Sequence, residues 1–169
     1  TVVYADYAWG QSHFQETKAI VERLGGKVVG NIPVPLDAKD FVPYLTQIPA
    51  ETQVVFSIFF GSLSVAFYTQ TKSMGIGNKM KMYSVNGTIE AIAPAYIEGA
   101  AEGVYILENF PRVLKYKDDA FHREHNKIME IDDVDAREVG SKRVMAKSHA
   151  WQSWEDLFTL KAAIEASGY

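Results

Sequence analysis

Cysteine is absent from the 169 residues, which excludes a disulfide frame, thiolate chemistry and cysteine-held zinc while leaving the redox compartment open. No apolar run approaches the ~20 residues that cross a bilayer, and nothing resembles a signal peptide. A basic block is also missing. The 21 acidic and 17 basic residues are spread along the chain for a net charge of −4, so nucleic acid is not an expected partner. No Gly-x-Gly-x-x-Gly follows the first apolar run, and neither a Gly-Lys-Ser/Thr loop nor a Gly-x-Ser-x-Gly elbow occurs. Dinucleotides and nucleoside triphosphates therefore have no phosphate cradle, and the usual hydrolase nucleophile has no seat. A phosphoacceptor site needs an acidic cluster at two strand ends, and Asp6 alone does not make one. No catalytic constellation emerges, so the expectation is a protein that is not an enzyme and carries no cofactor.

What is present is an apolar fraction of 47%, with aromatics at 12%, enough for one domain with a real core. The chain opens inside a strand, Thr-Val-Val-Tyr-Ala, that breaks on Asp6; such a start reads as a cut, so the 169 residues are expected to be one piece of a longer protein. A regular beat follows. Residues 11–24 carry Phe14, Ala19, Ile20, Val21 and Leu24 at helical spacing and stop at Gly25-Gly26. Strands are expected over 27–34, 53–59, 79–83 and 103–107, with helices over 40–47 and 61–74. Strands alternating with helices argue for an α/β class, a three-layer sandwich around a central, mainly parallel five-stranded sheet. Ligands of such sheets sit outside the carboxyl ends of the strands, which directs attention to residues 6–10, 31–37, 59–62 and 84–88.

The tail differs. A charged helix is expected over 118–129, a polar loop over 130–142, and a long amphipathic helix over 148–167 carrying Trp151, Trp154, Leu157, Phe158, Leu160 and Ile164, a stripe that reads as core-facing. His122 and His125 lie three apart with no third ligand, so a solvated helix face is the expectation and no metal site is assigned. Asp132, Asp133 and Asp135 lack the glycine and the terminal glutamate of a calcium loop and read as a polar loop. Asn86-Gly87 reads as a turn, and with Thr88 it also fits a glycosylation sequon.

The run YADYAWGQSHFQETKAIVERLGGKVVGNIPVPLDAKDFVPYL at 4–45 resembles the opening of the second lobe of the type 1 periplasmic solute-binding proteins, the branched-chain amino acid receptor group of ABC importers. The segments VVFSIFFGSLSVAFYTQTKSMGI, AAEGVYI and SWEDLFTLKAAIEASG agree with it in order and spacing. The resemblance implies that residues 1–169 form a single α/β lobe, a fragment whose first lobe is absent. It implies binding without chemistry: an amino acid or related small carboxylate or amide held between two lobes in the periplasm, with an ABC permease as the membrane partner. A ligand sensor of the same fold, extracellular or regulatory, is the alternative. Position by position, Trp9 and Phe60 fall where the family lines its cleft with aromatic residues; the plainer readings are a Trp packed under its own helix and a core Phe. Since adjacent side chains on a strand alternate, one of Phe59 and Phe60 must point away from the sheet. Asn86 stands where the amino acid receptors supply a carboxylate for the ligand's ammonium, and a neutral amide cannot make that charge-assisted bond. Either the ligand lacks an ammonium, or Glu90 or Asp6 substitutes, or the correspondence is offset by a residue or two. A lobe without its counterpart exposes apolar surface, so self-association of the fragment is also expected.

Overall fold

The computed structural model describes residues 1–85, 99–107, 119–132 and 148–168. They fall into two compact units, Thr1–Leu107 and Glu108–Tyr169.

The first unit is built on five parallel strands, β1 (Val2–Ala5), β2 (Asn31–Val34), β3 (Val54–Ile58), β4 (Lys81–Ser84) and β5 (Tyr105–Ile106), in the order β2-β1-β3-β4-β5. Parallel neighbours need crossovers, and helices supply them: α1 (Ala8–Arg23), the single turn α2 (Val42–Leu45) and α3 (Gly61–Ser73), which a 3₁₀ turn at Ile76–Asn78 joins to β4. All four residues of β1 are buried, as a central strand covered on both faces must be. On one face Val3, Ala5, Val34, Val55 and Met82 pack with Phe41, Leu63 and Phe67 of the α2 and α3 side. On the other, Val2, Tyr4, Ile58 and Val85 pack with Phe14 of α1. The expected α/β sandwich is present, and every strand pairing among the described residues is parallel.

Several bounds differ from expectation for physical reasons. β2 begins at Asn31 rather than at residue 27, because Asn31 pairs with Val2, the first residue of β1. Pro33 lies within β2, which the sheet tolerates because β2 is an edge. Helix α1 starts at Ala8, so Trp9 belongs to its first turn rather than to the end of the strand.

The second unit contains α4 (Ala120–Ile128) and α5 (Ser148–Ser167). Asp119 caps α4 by accepting a hydrogen bond from the His122 backbone N–H at 2.9 Å, and its Oδ1 also lies 2.8 Å from His122 Nδ1. The solvated face expected for His122 and His125 is not what forms: both imidazoles are buried, His122 4.2 Å and His125 4.9 Å from the Trp151 ring, while Arg123, Glu124 and Lys127 take the wet side. The α5 stripe also divides. Trp151, Trp154 and Phe158 contact Phe121 of α4, whereas Leu157, Leu160 and Ile164 are exposed. At 100° per residue these are two different sides of one helix, so a single partner helix cannot cover both.

Candidate functional site

In the order β2-β1-β3-β4-β5 the chain leaves β1 toward β2 and then returns to the other side of β1 to form β3. The helices that follow these two adjacent strands cover opposite faces, and a crevice opens between their starts. The residues that begin both helices are aromatic. Tyr7 is the N-cap of α1 and Phe60 the N-cap of α3, and neither offers a side-chain acceptor to the first-turn N–H groups. Neither first turn carries an acidic residue. The start of α3 therefore presents first-turn N–H groups with no side-chain cap toward the crevice, whereas the Asp6 carboxylate stands one residue before the α1 N-cap.

Four rings meet there. Trp9 lies 5.9 Å from Tyr7, 5.9 Å from Phe60 and 4.6 Å from His13, the last two edge to face, and Tyr7 meets Phe60 edge to face at 6.1 Å. Tyr7 leans on the core of the α2 and α3 face and Trp9 on that of the α1 face. The group thus bridges both layers at the sheet's end. Phe59 is fully buried against Phe41 and Phe67, while Phe60 is 46% exposed. Of the neighbouring pair, Phe59 is the core residue and Phe60 the one turned to the crevice. Next to it Gly61 has φ +59°, a conformation glycine adopts without a steric penalty, and a Cβ built there meets nothing within 4 Å. The backbone beside Phe60 is thus open to close approach.

Trp9 and Phe60, singled out on sequence, are brought together; Asn86 and Glu90 lie outside the described residues. Asp6 is exposed at the end of β1, and its Oδ1 accepts a 2.9 Å hydrogen bond from Gln11 Nε2. Tyr7 and His13 were missed. His13 follows Trp9 at i+4, a spacing that places both on one face of a helix, and that was the available signal. Burial raises the Tyr7 phenol above its ordinary pKa, which keeps it a neutral hydroxyl. Cavities of about 660 Å³ lie at the other end of the sheet, one by Tyr68, Thr71 and Met82 and one by Thr52, Val54 and Lys79. Their size alone does not outweigh position, because the strand-order reversal is at the carboxyl ends. Among the described residues no group of three or more His, Cys, Asp or Glu side chains converges as a metal site would.

A family model described as periplasmic binding protein matches residues 1–168. The chain belongs to the periplasmic binding proteins. An ABC transporter substrate-binding protein from Sphaerobacter thermophilus is 23% identical, with a TM-score of 0.65, over 75% of this chain and 34% of its own. An amino acid ABC transporter substrate-binding protein from Pseudomonas fluorescens is 24% identical, with a TM-score of 0.63, over 76% and 34%. A solute binding protein of an ABC transporter from Rhodopseudomonas palustris, solved in complex with p-hydroxybenzoic acid, is 25% identical with a TM-score of 0.53, over 57% and 27%. No curated protein matches significantly. This periplasmic binding protein chain spans about a third of the length of the first two of these relatives. The family and these neighbours are solute-binding proteins rather than enzymes. No helix among the described residues is long and apolar enough to cross a membrane.

Proposed function

We propose that this chain supplies one lobe of the solute-binding subunit of an ABC importer, working in the periplasm and delivering its solute to a membrane permease. The solute is an amino acid or a related small carboxylate or amide, held between the crevice of this lobe and a first lobe. One observation carries the reading: Tyr7, Trp9 and Phe60 converge at the carboxyl ends of β1 and β3, where the strand order reverses. The uncapped first turn of α3 favours an anionic group on the solute. The names of two solved relatives, one an amino acid receptor and one a complex with an aromatic acid, support this range. The resemblance adds Asn86, which lies outside the described residues, to the ligand-binding residues proposed for this site.

Trp9→Ala in the two-lobed parent tests the reading. Solute affinity should fall by about 1.5–3 kcal/mol, the value of a buried aromatic contact, with the melting temperature nearly unchanged. A large loss of melting temperature at constant affinity would instead assign Trp9 to the core.

A further inference from the structure

We infer that two copies of this chain associate by laying the exposed apolar stripe of α5 from one copy on an uncovered face of the parallel sheet in the other. A parallel sheet is ordinarily covered on both faces. Helix α1 covers one face where Phe14 packs with Val2, Tyr4, Ile58 and Val85, while Leu63 and Phe67 of α3 lie on the opposite face. The α1 face stays open toward β5. Val54 registers with Lys81, and Phe56 registers with Tyr83, which in turn registers with Tyr105, so these side chains share that face. Tyr83 and Tyr105 stack at 5.0 Å, and Tyr105 and Leu107, two residues apart, are each 57% exposed. A cavity of about 440 Å³, lined by Val21, Val28, Val54 and Phe56, borders the face beside α1.

Helix α5 carries the matching surface. Phe121 of α4 occupies Trp151, Trp154 and Phe158, and Leu157, Leu160 and Ile164 remain exposed. Both surfaces are therefore available to a second copy. Their lengths agree: Leu157 to Ile164 spans about 10 Å along a helix, and Lys81 to Val85 rises about 13 Å along a strand. Their charges agree as well. Lys81 on the face makes no hydrogen bond or ion pair, and neither does Asp156, which precedes Leu157 by one residue and Leu160 by four and so edges the stripe. On the stripe's other side Lys161 is neutralised by Glu165 at 2.6 Å. The cavity wall holds both Lys27 and Glu51, so Lys81 is the cation assigned to meet Asp156.

The test uses the 169-residue chain, with mass measured by light scattering over a concentration series. Tyr105→Lys alters the sheet face alone and Leu160→Glu the helix stripe alone; both positions are exposed, so melting temperatures should stay near that of the unmodified chain. Each variant by itself should associate about tenfold more weakly. Mixed together, they should recover a one-to-one complex, because the intact stripe of the Tyr105→Lys chain meets the intact face of the Leu160→Glu chain. Leu107→Lys should behave as Tyr105→Lys does, which keeps the test valid if one of the two fails to fold. Three outcomes would overturn the inference: an unmodified chain that stays monomeric, face variants that associate as well as the unmodified chain, as helix-to-helix pairing would allow, or a mixture that stays monomeric.

Discussion

Two glycines frame the candidate site for different reasons, and substitution should separate them. At Gly10 a Cβ would collide with the carbonyl oxygen of Ala5 and stand 3.0 Å from its carbonyl carbon. Helix α1 sits on the end of β1 only because this position has no side chain. Gly10→Ala should therefore cost about 3 kcal/mol, as overpacking against backbone does, measured by urea unfolding. At Gly61 the space is free and only the positive φ opposes a side chain, so Gly61→Ala should cost about 1 kcal/mol. A third residue responds to pH. Tyr68 is fully buried with its hydroxyl 2.8 Å from Ser57 Oγ, and burial raises its pKa above 10.0 against the opposing effect of its Ser57 and Ser84 hydrogen bonds. A raised folded pKa means stability that is complete below the unfolded value and lost as pH climbs past it. Tyr68→Phe should lower stability by about 1 kcal/mol at neutral pH, and the deficit should shrink above pH 10 in a pH series of melts. Residue-level legibility was uneven. Alternation required one of Phe59 and Phe60 to leave the core; choosing between them needed the pairing of β3 with its neighbours, which no local spacing carries.

Elements were legible in extent more than in environment. The helix expected over 148–167 is observed as Ser148–Ser167, and the one expected over 61–74 is observed as Gly61–Ser73 with Met74 as its C-cap. What the helical period could not reveal is that α5 carries two apolar sides, with only one turned to α4. For α4 the local sequence is charged and reads as wet, yet the residue that buries His122 and His125 is Trp151, far along the chain. Burial of those imidazoles makes the start of α4 sensitive to its cap. Asp119→Ala removes both the acceptor for the His122 backbone N–H and the partner of its ring, and should destabilise α4 by about 1 kcal/mol, visible as faster amide exchange over its first turn with the sheet unaffected.

At the scale of the molecule, alternation of strands and helices sufficed to expect a five-stranded α/β sandwich, and the strand order then explains why the aromatic wall stands where it does. Adjacent strands that send their helices to opposite faces create the crevice before any residue is chosen to line it. The exposed side of α5, with Leu157, Leu160 and Ile164 at 63%, 57% and 45% exposure, gives the chain apolar surface that water disfavours. We propose on this ground that the 169-residue chain self-associates. Light scattering should show its mean mass rising with concentration, and Leu160→Glu should reduce that rise; a constant monomer mass across the series would contradict it.

The same strand order sets a timetable for folding. β1 joins β2 through Val2 and Asn31 and joins β3 through Val2 and Phe56, so neither partner is close along the chain and no hairpin is available to start the sheet. During synthesis β1 emerges before both of its neighbours and must wait with Val2, Val3, Tyr4 and Ala5 unpaired. Non-local parallel pairing is slow, and the waiting interval is when an apolar strand meets the wrong partner. This interior strand of the finished sheet is thus the one a chaperone would have most reason to shield.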